Sequence, residues 1–231
     1  MMVIAGFLAI NGLYQVIRKP SELFFPVDNT FNKTPLETWD HYGPTFREKS
    51  TPDVPPEMLA ALAQMEAAGN PVARTYWRWS FTLHPLDIYK PASSSVGMYQ
   101  MTDGTFAQAK DLCIRDHQVR HAGAWHDWNS CWFNGWYLRV VPSDAIELTS
   151  AYLDESITTI LARHHLSSAT LQQKEKLAAV VHLCGAGAAD SYARRGFKFT
   201  PTQRCGDHDP REYLSRVTRY EREFSELASR S

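Results

Sequence analysis

Helical periodicity is the feature of this sequence that most restricts what the chain can fold into. Near the C-terminus, apolar side chains recur every three or four residues, at Tyr213, Val217, Tyr220, Phe224 and Leu227. This is the spacing of one face of an α-helix. Similar patterns predict helices over 54–68, 143–164 and 170–184, and weaker patterns predict two more over 105–120 and 125–138. No run typical of a parallel sheet interrupts them, so we predict a mostly α fold.

Residues that favour helix ends support several of these boundaries. Asp53 and Ser143 can cap the helices that follow them, because their side-chain oxygens accept hydrogen bonds from a first helical turn. Gly69 and Gly185 can end helices, because glycine adopts the left-handed conformation without strain. Residues 70–103 are rich in Trp, Tyr, Pro and Ser, which predicts irregular structure with a short hairpin.

The N-terminal part of the chain differs from the rest. Residues 3–17 carry no charge and are followed at once by two basic residues. This stretch is interpreted either as the remnant of an export or anchor segment, which would associate with a membrane, or as an amphipathic or buried first helix. Residues 20–52 have no lasting period, and we expect them to form an extension over the main domain. We therefore divide the chain into residues 1–50 and 51–231.

Charge composition excludes one class of partner. The 24 Lys and Arg residues nearly balance the 25 Asp and Glu residues, for a formal net charge of -1. No overall positive field attracts nucleic acid, so nucleic acid is not an expected partner. Hydrophobic residues make up 44% of the chain, which is typical of a globular protein and excludes a disordered one.

Glu66 is the acidic residue that does not fit the predicted pattern. On a helical wheel it falls between Leu59 and Leu62, inside the stripe that should face the core. Its neighbours three and four residues away offer no basic partner, and it lies in the last turn, where the helix dipole disfavours negative charge. We therefore expect a partly desolvated, unpaired carboxyl that holds its proton more tightly than in water, as a general acid must. The alternative is a surface carboxylate whose stem packs while its head reaches water.

Three segments around and after Glu66 resemble the motifs of lytic transglycosylases of the soluble-lytic-transglycosylase (SLT) family. LAALAQMEAAGNP resembles the helix end that carries the family's catalytic Glu, followed by Asn-Pro. SSSVGMYQMTDGTF is similar to the second motif, with Gly97, Gln100 and Thr105 in register. VVHLCGAG occupies the place of the Ala-Tyr-Asn-Ala-Gly motif, but only Gly185 matches and His182 stands where Tyr is expected. The resemblance covers roughly residues 54 to 200.

The resemblance implies a lysozyme-like fold and an activity on peptidoglycan glycan strands. Glu66 would protonate the oxygen between N-acetylmuramic acid and N-acetylglucosamine, and then accept the proton of the muramic C6 hydroxyl. This leaves a 1,6-anhydro end and needs no cofactor or metal. The family setting implies the periplasm or cell envelope, with inner-membrane anchoring open.

The resemblance also implies a set of substrate-binding residues around the catalytic Glu66. Gly97 would let the backbone approach the sugar, and the Gln100 amide would bind a sugar or hold Glu66 in place. The other candidates are aromatic or imidazole side chains that could stack on or contact sugars, namely Tyr76, Tyr99, His182 and Tyr192. Four tryptophans at helical spacing are better explained by core packing: Trp125, Trp128, Trp132 and Trp136.

The four cysteines allow three disulfide pairings, and the sequence alone does not choose among them. Cys113 and Cys131 flank a segment with His117 and His121, whose spacing could bind zinc if the segment were helical. The competing interpretation is one disulfide between Cys113 and Cys131 and another between Cys184 and Cys205. A periplasmic enzyme favours the disulfides.

Two other functions remain open at this point. A goose-type lysozyme-like hydrolase would share the fold but activate water, with Asp87, Asp103 or a nearby residue as the base. A catalytically silent glycan-binding envelope protein would bind sugar without cleaving it. The intact run of Glu66, Gly69, Asn70 and Pro71 argues against the silent protein.

Overall fold

Seven α-helices and two short antiparallel hairpins form the part of the chain that the computed structural model describes, residues 2–24, 27–127 and 129–230. The mostly α class is therefore confirmed. The helices are α1 Met2–Arg18, α2 Pro35–Lys49, α3 Pro56–Ala67, α4 Asp103–Ala109, α5 Pro142–Arg163, α6 Leu171–Arg194 and α7 Pro210–Ala228. The strands are β1 Trp77–Trp79, β2 Tyr89–Pro91, β3 Leu112–Arg115 and β4 Gln118–His121.

Helix α3 lies at the centre of the core. Its residues from Met58 to Ala63 are all fully buried, and it packs against α2, α5 and α7. A helix that is apolar on all sides needs neighbours on all sides, and its alanines let those neighbours approach closely. Glu66, in the last turn of α3, therefore lies where several helices meet.

Helix α2 corrects the expectation of an irregular extension over residues 20–52. Thr34 and Glu37 form a capping box at its start, and its aromatic side chains Trp39 and Phe46 belong to the main core. The sequence pattern did not predict this helix, because polar residues dominate its other face and because Pro44 lies inside it. The segment assigned to residues 1–50 thus contributes to the same core as α3.

The predicted helices over 105–120 and 125–138 are wrong. Only Asp103–Ala109 is helical, and β3 and β4 form a hairpin after it. Asp116 and His117 at the turn both have positive φ, as the tight hairpin turns require. A 3-10 helix, Trp132–Trp136, replaces the second predicted helix. The hairpin expected within 70–103 is confirmed, because β1 pairs with β2.

Three of the predicted helix ends differ in the structure. Asp53 does not cap α3 but forms an ion pair with Lys174 at 2.6 Å. Ser143 lies inside the first turn of α5, whose N-cap is Val141. Gly185 does not end α6 but breaks it, with φ 78° and ψ 164°, and the helix then continues to Arg194. The end of α3 at Gly69 is confirmed, since Ala68 and Gly69 are left-handed.

Two disulfides join Cys113 to Cys131 and Cys184 to Cys205. The first closes the loop after the β3–β4 hairpin, and the second ties α6 to the segment before α7. His117 and His121 lie on the hairpin and not on a helix, so their four-residue spacing does not place them on one helix face as potential zinc ligands. Two disulfides are typical of a protein that folds in an oxidising compartment, such as the periplasm or the extracellular space.

Helix α1 has its polar side chains turned inward. Asn11 and Gln15 are buried, whereas Ile10, Leu13 and Ile17 are more than 60% exposed. The described chain contains no helix with both the length and the apolar character needed to cross a bilayer.

Candidate active site

Glu66 lies at the C-terminal end of α3, in a position that α2 fixes. Ala68 and Gly69 close the helix by donating backbone hydrogen bonds to Gln64 and Ala63. A side chain at Gly69 would meet the Thr38 hydroxyl of α2 at 2.3 Å, so only glycine fits there. The same hydroxyl donates to the Gln64 side chain at 2.7 Å. The end of α3 is therefore held rigidly.

The Glu66 carboxyl is partly sheltered, as predicted, but it is not unpaired. Its side chain is 20% exposed. The Tyr213 hydroxyl of α7 donates to Glu66 Oε1 at 2.6 Å, and His182 Nε2 of α6 lies 3.6 Å from the same oxygen. The prediction considered only neighbours of Glu66 within α3, so it could not identify partners on other helices. Three helices thus meet at this carboxyl.

Tyr213 remains a hydrogen-bond donor throughout the physiological pH range. Burial raises the pKa of its hydroxyl well above 10, and the neighbouring Glu66 carboxylate raises it further. A neutral donor orients the carboxyl without adding a positive charge beside it. The sequence analysis placed Tyr213 in the buried stripe of α7 but missed this role. The available signal was a tyrosine hydroxyl in a mainly apolar stripe, and Tyr220 of the same stripe carries the same signal.

The second motif forms a tight turn beside this site. Val96 and Met101 pair as an isolated bridge, and Gly97 and Gln100 both have positive φ. A Cβ at Gly97 would lie 2.3 Å from the Arg139 carbonyl oxygen. The close backbone approach at Gly97 is therefore to Arg139, and the approach to a sugar stays a prediction.

The Gln100 amide holds the turn and not the catalytic candidate. Its Nε2 donates to the carbonyl oxygens of Gly97 at 2.9 Å and Ala73 at 3.3 Å. The expectation that it holds Glu66 in place is therefore replaced by a role in the turn. Gln100 and His182 both line a small cavity of about 40 Å³, with Thr149 also in its wall. His182 thus lies between this cavity and Glu66.

Two of the predicted tyrosines are buried, and one is exposed. Tyr99 is 1% exposed and donates its hydroxyl to the Leu59 carbonyl, so it cannot stack on a sugar and this prediction is corrected. Tyr192 is 3% exposed and stacks on Phe199 at 4.5 Å, so its side chain is a core group. Tyr76 is 73% exposed before β1 and is free to meet a ligand.

The tryptophans expected in the core are at the surface. Trp125 and Trp136 are 78% and 84% exposed, and Trp132 is 41% exposed. Trp128 lies outside the described residues. The helical spacing that predicted burial has no meaning here, because the segment is irregular apart from one 3-10 helix. Exposed tryptophans are instead typical of surfaces that bind ligands.

A wider cavity of about 610 Å³ contains a second group of carboxylates. It lies between α3, α6 and α7 and is lined by Glu57, Glu175 and Glu221. Burial, followed by repulsion from Glu175, raises the pKa of Glu221 to about 7. The cavity adjoins the first turn of α3, and Glu66 lies nine residues further along, about 13 Å at 1.5 Å per residue. Glu221 is therefore a rival to Glu66 as a general acid and must be tested against it.

Glu221 makes stability depend on pH. In the unfolded chain its pKa is near 4.5, and in the fold it is about 7. Below pH 4.5 the group is protonated in both states, and between pH 4.5 and 7 the folded state loses stability as the pH rises. We expect Glu221→Gln to stabilise the fold at pH 8 by about 2 kcal/mol and to have little effect at pH 4.5. Urea unfolding at both pH values measures this.

The exposed Glu223 of the same helix provides the control. Glu223→Gln removes the same charge at the surface of α7, and should change stability by less than about 0.5 kcal/mol at either pH. An equal gain for Glu221→Gln at both pH values would show that the burial of its charge is not the cause.

Sequence analysis also missed Glu147, a buried carboxylate of α5. It is 1% exposed and accepts bonds from Lys49 at 2.9 Å, Arg115 at 3.4 Å and Tyr137 at 3.1 Å. The Ile114 backbone also donates to it. Because every partner is a fixed donor, we interpret Glu147 as the group that attaches the β3–β4 hairpin to α2 and α5.

The two aspartates proposed as a hydrolytic base lie elsewhere in the fold. Asp103 is bound to Arg139 at 2.8 Å. Asp87 lies in the 3-10 turn Pro85–Asp87, against which α1 packs. Asp103 thus lines the cavity next to α1, and Asp87 lies in a turn that contacts α1 itself.

Comparisons with known proteins add no family assignment. No protein-family model, no curated protein and no solved structure matches the chain. The functional argument therefore depends on the residues of the site.

Proposed function

We propose that this protein is a peptidoglycan lytic transglycosylase with Glu66 as its single general acid and base. The observation that carries the proposal is the setting of Glu66: it is one-fifth exposed at the meeting point of three helices, and a neutral hydroxyl orients it. Tyr213 donates to Oε1 and His182 Nε2 lies 3.6 Å from the same oxygen, and no Lys or Arg of the described residues pairs with this carboxyl. The proposal includes a lysozyme-like fold.

The proposed reaction uses Glu66 twice. The protonated carboxyl first gives its proton to the glycosidic oxygen, and the bond from that oxygen to C1 of N-acetylmuramic acid breaks. The carboxylate then takes the proton from the C6 hydroxyl of the same sugar while O6 bonds to C1. The products are a new N-acetylglucosamine hydroxyl and a 1,6-anhydro ring, and no water is consumed. Glu66 ends protonated and is ready for another cycle.

Neighbouring residues would position the carboxyl and the glycan. Tyr213 holds one oxygen of Glu66 and directs the other toward the substrate. His182, at the small cavity, and the exposed Tyr76 are the groups that we propose contact sugars. The disulfides support a location in the periplasm or cell envelope, where peptidoglycan is found.

Analysis of the reaction products tests this function. Purified sacculi are digested with the protein, and the soluble fragments are identified by mass spectrometry. We expect fragments with 1,6-anhydro-muramic ends. Reducing muramic ends would indicate a lysozyme-like hydrolase, and sugar binding without fragments would indicate a silent glycan-binding protein. Both results would contradict the proposal.

Removal of the Tyr213 hydroxyl should slow the reaction and leave the fold intact. A hydrogen bond to a charged group contributes about 1.5 to 3 kcal/mol, so we expect Tyr213→Phe to lower kcat by about 10- to 100-fold. The matched control is Tyr220→Phe on the same helix, which should retain activity. Circular dichroism confirms folding. Equal activity of both variants would show that Tyr213 does not orient Glu66.

A further inference from the structure

Helix α1 is attached to the protein through its polar face. The side-chain amides of Asn11 and Gln15 each donate to the Leu86 carbonyl oxygen at 2.7 Å, and both side chains are buried. These bonds fix the rotation of the helix about its axis. Its outward face is consequently apolar, with Ile10, Leu13 and Ile17 between 62% and 72% exposed. A helix on the surface of a soluble domain normally has the opposite orientation.

The loop that anchors α1 has an apolar tip of its own. Leu86 belongs to the connection between β1 and β2, and the same connection carries Phe81 and Leu83. Both side chains are completely exposed, and Trp79 at the end of β1 is 66% exposed. Soluble proteins rarely expose this much clustered apolar surface, and such patches mark interaction sites.

A basic cavity of about 260 Å³ adjoins α1 and this hairpin. Four basic residues line it, namely Lys19, Arg78, Lys90 and Arg139. Its acidic wall residue, Asp103, is bound to Arg139 at 2.8 Å. The Lys19 side chain is only 8% exposed and bonds to the Ser93 carbonyl, so its ammonium is built into the wall. Lys19 is paired with Glu22 at 3.3 Å and Arg139 with Asp103, so Arg78 and Lys90, which have no carboxylate partner among the described residues, are the cations that can receive an anion.

The region of α1 and the β1–β2 hairpin is more basic than the chain as a whole. Residues 2–24 and 74–93 contain five Lys or Arg and two Asp or Glu, although the chain as a whole has a net charge of -1. An apolar surface beside basic groups complements the acyl chains and phosphates of an anionic leaflet. A second copy of the same surface would bring like charges together, which disfavours self-association.

We propose that the outward face of α1, the tip at Phe81 and Leu83, and the basic cavity form a docking surface for an anionic phospholipid membrane. The apolar side chains enter the boundary between headgroups and acyl chains, and the cavity binds lipid phosphate. Helix α1 lies along the membrane, because Asn11 and Gln15 hold it against the domain. This inference does not depend on the proposed enzymatic function.

Flotation of the full chain with vesicles tests the docking surface. We expect the protein to float with vesicles of phosphatidylglycerol and phosphatidylcholine, and to float less with phosphatidylcholine alone. The double variant Phe81→Ser with Leu83→Ser should bind the mixed vesicles at least about tenfold more weakly, because fully exposed side chains can change without harming the fold. The double variant Arg78→Glu with Lys90→Glu should lose the preference for anionic vesicles.

Matched surface variants elsewhere give the controls. Trp125→Ser removes an exposed aromatic from another loop, and Arg194→Glu with Lys198→Glu reverses two exposed charges at the end of α6. Both should bind vesicles like the wild type. Absence of vesicle binding, or equal loss in test and control variants, would overturn the proposal. So would sedimentation showing a lipid-free dimer that Phe81→Ser with Leu83→Ser dissociates.

Discussion

Replacement of Glu66 by Gln is expected to reduce the release of anhydro-muropeptides from sacculi by about 10²- to 10⁴-fold, which is the usual contribution of general acid–base catalysis. Gln has nearly the same shape as Glu and can still accept a hydrogen bond from Tyr213, but it cannot give up or take a proton in this chemistry. The variant should therefore remain folded and should still bind glycan. Initial rates of fragment release, together with sacculus pull-down, separate catalysis from binding.

Glu221→Gln is the control that sharpens this experiment. Glu221 is the rival carboxyl, because its pKa of about 7 suits a general acid and it lines the wider cavity. We expect this variant to retain wild-type rates of fragment release. If Glu221→Gln abolished release and Glu66→Gln did not, the catalytic centre would lie between α6 and α7 near the start of α3, and our assignment would be wrong.

Replacement of Gly97 by Ala should cause the largest loss of stability among the variants considered. The residue has φ +78°, which alanine adopts only with strain, and the new Cβ would lie 2.3 Å from the Arg139 carbonyl oxygen. A backbone atom cannot move aside as a flexible side chain can. We therefore expect a loss of about 3 kcal/mol or more in the free energy of unfolding. Urea denaturation with a two-state fit measures it.

Gly104 allows a matched comparison. It lies in α4, and no atom beyond its own helical turn would come within 4 Å of a Cβ placed there. Gly104→Ala should leave stability unchanged or raise it by up to about 1 kcal/mol, because alanine favours the helix. Equal stability of the two variants would show that the turn at Gly97 is not held against Arg139.

The helices with strong apolar stripes were predictable from sequence, and those with mixed faces were not. The stripe at Tyr213, Val217 and Phe224 predicted α7 correctly, since local spacing decides it. Helix α2 was not predicted, because Trp39 and Phe46 bury their rings in a core formed by segments distant in sequence. The β3–β4 hairpin was not predicted, because Asp116 and His117 form its turn in place of the usual Asn-Gly.

In the candidate site, too, features set by neighbouring residues were predictable and contacts between residues distant in sequence were not. The partial burial of Glu66 follows from the apolar residues of α3, the one helix that carries it. Its hydrogen-bond donor Tyr213 is 147 residues away in sequence, and no local rule relates two residues at that distance. The family resemblance placed Tyr192 among the candidate sugar-binding residues, but in the structure Phe199 covers its ring.

The disulfide between Cys184 and Cys205 gives the site a mechanical property. Cys184 follows His182 by two residues, immediately before the break at Gly185, and Cys205 stands in the segment that leads into α7 and Tyr213. The two side chains that flank the Glu66 carboxyl therefore belong to segments joined by a covalent crosslink. The crosslink therefore limits how far the His182 end of α6 can move from the segment that leads to Tyr213, even when non-covalent contacts between them loosen.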